Sequence, residues 1–414
     1  MERNKIWLVN QYAMPPKYEA RIQTLKRAQY LIENGYDVTI ISGSFLHNTV
    51  INLITDNSKF IKAQYDGIKF IHIKTNSYKG SGLKRFYNLI IFNIRLFMLS
   101  KNFDKPDIIS QVSTVPFGNI IYYVAKKFGA KYIVDVVDLW PESFVAFGLI
   151  SKKNPITKIL YAAEKWLYER ADEIVFTMEG GKDYILEKGW SLSSGGNVDL
   201  NKVHYINNGV DLKDFDSNKC LYRIEDKDLE NNSFFNVTYI GSIRLANNLK
   251  KLIDAAEVIK YKNIKNINFL IYGDGDERYF LENYCKINNI DNVIFKEKWV
   301  ELKYVPYILS RSSLNILNYM PNPIVRFGGS QSKSFQYMAS GKPICSNLNM
   351  GYCPITKNNV GISKEFKDAE EYANAILYFK NMNIEEYQEV CNHSRKLAEN
   401  YDYKKLTLEF QKLL

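Results

Sequence analysis

The 414 residues include only five cysteines, Cys220, Cys285, Cys345, Cys353 and Cys391, all in the second half and with no CxxC pair. An odd set so placed suits neither a disulfide framework nor a cysteine-built zinc site. Histidine is equally scarce: His47, His72, His204 and His393 lie far apart, and none belongs to an HExxH pattern. A histidine-built metal centre is therefore not expected. Long hydrophobic runs are missing too. The stretch 86–99 has fourteen residues, interrupted by Asn88, Asn93 and Arg95, too few and too polar to span a bilayer. The first sixteen residues hold too short an apolar run for a signal peptide, and a reducing cytoplasm is the expected setting. Acidic residues are depleted locally. Between 59 and 105 ten Lys/Arg face only Asp66 and Asp104, giving +8 of a total +10. Such a stretch points to nucleic acid, an anionic membrane or a phosphorylated substrate.

Apolar residues make up 46% of the chain, enough for a sizeable core. At about 100–200 residues per domain, the length predicts two to three domains. Short apolar strands alternate with amphipathic helices. Strand 6–10, helix 19–34 and strand 38–42 make a β-α-β unit, which requires a parallel sheet. The pattern continues through a strand at 203–206, then breaks at Asn207-Asn208-Gly209. Residues 214–233 read as polar and weakly periodic. A second set of strands and helices starts at Phe235, and the chain closes with helices at 368–380, 384–399 and 403–413. Two doubly wound α/β domains are expected, 1–213 and 214–395, with 396–414 as a returning helix. Such domains bind ligands at the carboxyl edge of the sheet, in a cleft.

Four segments could carry chemistry. After strand 235–240 comes Gly241-Ser242-Ile243-Arg244, then a helix from about Asn247. Glycine at a strand end lets a ligand approach the backbone, a helix start offers free N–H groups, and Arg244 is a fork suited to phosphate; an ordinary turn with a surface arginine is the plainer alternative. Gly273-Asp274-Gly275 also follows a strand, but it lacks the spacing of a dinucleotide fingerprint and equally fits an Asp-Gly turn. Residues 328–336 run from a Gly/Ser loop into a helix whose first turn carries Ser332, Lys333 and Ser334. A cation there is unfavourable unless an anion joins it. Asp138 and Glu142 follow the strand 132–137 and precede or follow Pro141; a carboxylate at that edge could bind sugar hydroxyls or take a proton, or simply cap a helix. Asp135 reads as structural. Finally, the basic segment 79–101 could be a core helix whose rim of Lys79, Lys84, Arg85 and Lys101 meets lipid phosphates.

Over nearly its whole length the chain resembles glycosyltransferase family 4, of the GT-B fold, and within it the bacterial enzymes that build surface polysaccharides. The resemblance rests on Asp138-Leu-Trp-Pro-Glu-Ser143, on Tyr65-Asp-Gly-Ile with Lys79-Gly-Ser-Gly, and on Ile206-Asn-Asn-Gly-Val-Asp211. Gly241-Ser-Ile-Arg244, Gly273-Asp-Gly275 and the stretch from Ser332 to Pro343 complete it. It implies a retaining, metal-independent transfer from a nucleotide sugar, favouring UDP, with a hexosyl or N-acetylhexosaminyl group as cargo. The acceptor would be a lipid-linked or glycan species in capsule, O-antigen or exopolysaccharide synthesis, at the inner face of the cytoplasmic membrane. No further cofactor is implied. By the same resemblance the C-terminal domain would hold the nucleotide: the diphosphate between the 241–250 and 328–336 loops, the ribose at Gln336, the base near Lys298, Trp299 and Val300. The N-terminal domain would hold the acceptor. The chain also departs from the family. Ser242 and Asn247 stand where many relatives have Arg and Lys, leaving Arg244 as the substitute. Gln336 replaces an acid and binds a diol without charge. Val137 replaces a histidine, and the loop after the first strand lacks a glycine pair. A nucleotide-sugar epimerase of the same plan and a non-catalytic nucleotide or sugar binder are the alternative readings.

Overall fold

The computed structural model describes residues 4–18, 22–78 and 83–414. The chain forms two compact units, Met1–Asn207 with Tyr403–Leu414, and Asn208–Asp402. The first unit thus ends at Asn207, where the sequence reading put the boundary near 213, and the segment that rejoins it starts at Tyr403, where the reading had 396.

The first unit is built on eight strands: β1 (Lys5–Val9), β2 (Asp37–Gly43), β3 (Phe60–Tyr65), β4 (Ile68–Ile73), β5 (Ile108–Val112), β6 (Lys131–Val136), β7 (Glu173–Phe176) and β8 (Val203–Tyr205). They lie in the order β3-β4-β2-β1-β5-β6-β7-β8. All pairings are parallel except the β3–β4 hairpin, which turns at Asp66 and Gly67. Sequence periodicity missed β3 because this edge strand, with Lys62 and Gln64 among its apolar residues, has no fully buried face. The central strands are near-continuous apolar runs, as parallel strands covered on both faces must be. Helix Gln23–Glu33 lays Leu25, Ala28 and Leu31 on one sheet face, and the returning helix Tyr403–Gln411 adds Phe410 to the same core.

The second unit has six parallel strands: β9 (Phe235–Ile240), β10 (Ile267–Tyr272), β11 (Val293–Phe295), β12 (Leu314–Leu317), β13 (Ile344–Ser346) and β14 (Gly361–Ser363), in the order β11-β10-β9-β12-β13-β14. The order reverses between β9 and β12, and an open parallel sheet has its crevice at such a switch point, beyond the carboxyl ends of the strands. The polar stretch 214–233 is mostly helical. Asp211 caps helix Leu212–Leu221 and Asp226 caps helix Lys227–Glu230. Only Leu212, Phe215 and Leu229 are buried among these residues' apolar positions, which is why no period was visible. Among the described residues no helix is long and apolar enough to cross a membrane, and no group of three or more His, Cys, Asp or Glu is placed to hold a metal ion.

Candidate functional site

In the second unit the loops after β9 and β10 meet at the switch point through their glycines. Gly241 has φ +142°, and a Cβ there would run into the Lys333 side chain. Gly273 has φ +125°, and its Cβ would run into the Gly241 carbonyl. Only glycine allows both conformation and proximity. The loops are fastened by Gly241 N–H to the Tyr272 carbonyl (3.0 Å), Ile243 N–H to Asp274 (2.8 Å) and Gly273 N–H to Glu297 (2.9 Å). The buried Arg278 clamps them further by donating to the Gly273 and Lys296 carbonyls. Gly273-Asp-Gly275 is therefore a packing turn under the 241 loop.

Lys333 lies on the first turn of helix Ser332–Ala339, whose N-cap Gln331 makes no side-chain cap. Its Nζ donates to the Tyr239 hydroxyl at 2.9 Å and sits 4.4 Å from the Tyr239 ring centre and 5.9 Å from that of Tyr319. No carboxylate pairs with it among the described residues. Burial pushes its pKa down to about 7. Lys296 is the instructive contrast. It too is half-buried, yet Asp226 (2.6 Å) and Asp228 (2.7 Å) overcome the loss of solvation, and its pKa rises. One lysine has its counter-charges built in; the other has none among the described residues.

Around Lys333 the other expected residues fall as follows. Ser334 is buried and bonds back to the Gln331 carbonyl (2.6 Å), while Ser332 is exposed. Gln336, one turn on from Lys333, is half-buried and its side-chain amide has no partner among the described residues. Arg244 is exposed and makes no ion pair among them. Ser242 is exposed and its hydroxyl lies 3.2 Å from Oδ1 of the buried Asn247. Asn247 belongs to a 3₁₀ turn, Leu245–Asn247, and the helix proper starts two residues later than expected, at Leu249. The reason is Asn248, whose left-handed backbone (φ +47°) separates the two and leaves the helix without a side-chain cap. Lys298 is exposed, Trp299 is 83% exposed, and Val300 tucks against the core.

In the first unit β6 ends at Val136, so Asp138 lies in the following turn rather than closing the strand, and it is exposed. Asp135 is structural: it forms a buried ion pair with Arg27, whose guanidinium lies 4.3 Å from the Phe410 ring centre. Glu142 differs from Asp138 in every physical respect. It is 3% exposed, starts helix Glu142–Ala146, and does not cap it. Its Oε2 accepts from the Tyr161 hydroxyl and the Lys188 ammonium, each at 2.5 Å. Burial pushes its pKa up, but these two bonds outweigh that and hold it below the usual carboxylate range. Beside it Glu164, fully buried, accepts from Tyr168 and Tyr184 (both 2.9 Å), and burial raises its pKa to about 8. The sequence reading paired Asp138 with Glu142; the structure commits Glu142 to this internal network.

Lys79, Gly80, Ser81 and Gly82 lie outside the described residues. Helix Leu83–Leu99 buries polar side chains and exposes apolar ones. Asn88 and Asn93 face inward with Leu89, Phe92 and Leu96, whereas Phe86, Tyr87, Ile94, Phe97 and Met98 are exposed, with Lys84 and Lys101 at the ends. Asn88 is held by Gln11 (2.6 Å) and by the Asn76 carbonyl. Tyr239, Tyr319, Arg278, Tyr161 and Lys188 were not anticipated as site neighbours. Tyr239, Arg278 and Tyr161 stand on strands and helices, Tyr319 and Lys188 just beyond the ends of a strand and a helix, and only the folded chain brings them there.

Residues 223–400 match the family model described as glycosyl transferases group 1. No curated protein matches the chain in sequence. Solved structures do match along its length. A glycosyltransferase from Rickettsia africae ESF-5 is 18% identical with a TM-score of 0.63, covering 100% of this chain and 97% of that one. An E. coli trehalose-6-phosphate structure bound with UDP-2-fluoro glucose is 12% identical with a TM-score of 0.72, covering 99% and 98%. Anabaena HepE in complex with UDP and glucose is 11% identical with a TM-score of 0.63, covering 99% of each. Two Rossmann-like parallel sheets, the group 1 match over most of the second unit and these neighbours together give the chain the GT-B fold of glycosyltransferases.

Proposed function

We propose that the protein is a retaining glycosyltransferase that moves a hexosyl or N-acetylhexosaminyl group from a nucleoside-diphosphate sugar to a lipid-linked or glycan acceptor of bacterial surface-polysaccharide synthesis. The observation that carries this is Lys333: a half-buried lysine with no carboxylate partner among the described residues, on a helix start without a side-chain cap, pressed against Gly241 at the switch point of the second sheet. A diphosphate supplies what that position lacks. The complexes of Anabaena HepE with UDP and of the E. coli structure with UDP-2-fluoro glucose favour UDP.

In this reading the bond between the anomeric carbon and the diphosphate oxygen breaks, and a bond to the acceptor oxygen forms on the same face of the sugar. The acceptor hydroxyl loses its proton, and the nucleoside diphosphate leaves. Negative charge grows on the diphosphate, where Lys333, Arg244 and the starts of helices Leu249–Tyr261 and Ser332–Ala339 stabilise it without a metal. Gln336 binds the ribose, and Lys298, Trp299 and Val300 border the base. Asp138 supplies negative charge for the oxocarbenium-like sugar or takes the acceptor proton. Glu142 acts through its ion pair with Lys188, holding the turn that presents Asp138. In this reading the first unit docks on the anionic inner face of the membrane, which the exposed apolar face of helix Leu83–Leu99 and its basic ends support.

Calorimetric titration with UDP, GDP, ADP and CDP, followed by turnover of UDP- and GDP-sugars in chelator, tests this. Binding of UDP and release of UDP from a UDP-sugar are expected. Binding without turnover would favour the non-catalytic binder, and no nucleotide binding would overturn the reading.

A further inference from the structure

A second cationic site lies in the first unit, at loops to which no role has been given above. The loops after β1, β2 and β4 leave the same edge of that sheet, since the three strands are parallel. β1 also borders the switch point, because the strand order runs outward from β1 in one direction and from β5 in the other. These loops are stitched together: Gly43 N–H bonds to the Gln11 carbonyl (3.0 Å), Phe45 N–H to Thr75 Oγ1 (3.1 Å) and Thr75 N–H to Ser44 Oγ (2.9 Å).

Four side chains converge there. Arg85 Nε donates to the Tyr12 hydroxyl at 3.1 Å, and its guanidinium lies 5.2 Å from the Tyr12 ring centre. On the same ring His47 packs at 5.0 Å between centres, and His47 Nδ1 is 2.7 Å from the Tyr78 hydroxyl. Tyr12 thus holds the Arg85 fork by its inner nitrogen. The two terminal nitrogens of Arg85, which match phosphate geometry, bond nothing among the described residues. Arg85, Tyr12 and His47 are all partly exposed. The chain has no Asp or Glu from Lys5 to Tyr18, from Val38 to Thr55, or from Gly67 to Phe103, so all three loops and the helix carrying Arg85 lack a carboxylate.

We propose that Arg85, Tyr12, His47 and Tyr78 form a binding subsite for a phosphate group carried by the acceptor. The guanidinium fork takes two phosphate oxygens, a geometry lysine cannot reproduce, and the aromatic ring beneath it fixes the fork's direction. The phosphate could belong to a lipid carrier or to a phosphorylated sugar; both present the same anion to Arg85. Calling the ligand the acceptor rests on the transferase reading, but the anion site itself does not.

The test uses the full chain and two soluble probes, farnesyl phosphate and α-glucose 1-phosphate, with farnesol and glucose as neutral controls and UDP as a separate titration. Either phosphate should bind while its neutral control does not, and the tighter one identifies the source. Arg85→Met should weaken that binding by about ten- to a hundredfold, the range of a lost charge-assisted bond. Arg85→Lys should recover only part of it, and UDP affinity should stay unchanged. His47→Gln provides a second variant should Arg85→Met fold poorly, with a smaller loss expected. Phosphate binding that is unaffected in these variants, or no preference for phosphate over the neutral controls, would overturn the subsite. Failure to bind UDP with phosphate binding intact would instead remove the transferase reading and leave the anion site standing.

Discussion

The Lys333 ammonium donates to the Tyr239 hydroxyl at 2.9 Å, and Tyr239 in turn donates to the Ser242 carbonyl at 2.6 Å. This relay ties the start of one helix to the loop after β9 through neutral partners only. It fixes the position of a lysine without neutralising it.

Removing that lysine should therefore separate binding from stability. Lys333→Met is expected to lower UDP affinity strongly while leaving the apo melting temperature unchanged or raised at pH 7. The pH dependence follows from the depressed pKa. Folding lowers the lysine from its ordinary 10.5 to about 7, so the unfolded chain binds more protons between those values and the apo protein gains stability as pH rises through that window. A bound diphosphate favours the charged form, so UDP-sugar binding takes up a proton. Its affinity should fall above about pH 7, by at most about tenfold per pH unit. Calorimetry in buffers of different ionisation enthalpy would report the proton, and a pH-independent affinity would contradict the mechanism.

The Glu142–Lys188 pair predicts the opposite balance. Lys188→Met leaves a buried carboxylate unpaired and should destabilise the fold by about 3–5 kcal/mol, read as a shift in the urea midpoint. Because Glu142 is held below its ordinary pKa of 4.5, its contribution is present above that pH and is lost as the pH falls through the lowered value. Glu164 runs the other way. With its pKa raised to about 8, it removes stability as pH climbs from about 4.5 towards 8, so Glu164→Gln should gain relative stability at pH 8. The same variant losing more at pH 8 than at pH 5 would refute the assignment.

Asp138→Asn preserves shape and lies in the unit that does not carry the proposed nucleotide residues. A large loss of turnover, on the scale of the ~10²–10⁴ typical of acid–base groups, is expected with UDP affinity and melting temperature intact. Glu142→Gln should reduce turnover less and lower the melting temperature. Near-normal transfer by Asp138→Asn would leave that carboxylate without a chemical role.

The outward face of helix Leu83–Leu99 predicts salt-dependent lipid binding. Vesicles with anionic lipid should float the protein, neutral vesicles should not, and the effect should weaken as the Debye length shrinks from about 10 Å at 0.1 M salt to about 3 Å at 1 M. Met98, at 64% exposure, is a clean probe: Met98→Asp should cut flotation without altering the melting temperature. Flotation indifferent to lipid charge or to this change would assign the exposed face elsewhere.

Much of the fold was readable because parallel strands buried on both faces write themselves as unbroken apolar runs, as at 235–240 and 267–272, and because amphipathic helices such as Leu249–Tyr261, which buries Leu249, Leu252, Ile253 and Ala256, show their period. The same logic explains what stayed hidden. β3 is an edge strand, and the helices within 214–233 bury too few apolar residues to leave a pattern. For the site, Lys333 could be picked out from the sequence alone, since a cation in a first helical turn after a Gly/Ser loop conflicts with the helix dipole. What the sequence determined by itself was therefore local: the alternation of elements, the glycines at strand ends and the misplaced charge. Whether a charge is compensated was decided only in three dimensions. Lys296 finds Asp226 and Asp228 at 2.6 and 2.7 Å across about seventy residues of chain, Lys333 finds a tyrosine hydroxyl and no carboxylate among the described residues, and Asp138 and Glu142, four residues apart, end on opposite sides of the boundary between water and core. Electrostatic energy depends on distance and burial, and neither is written in the order of the residues.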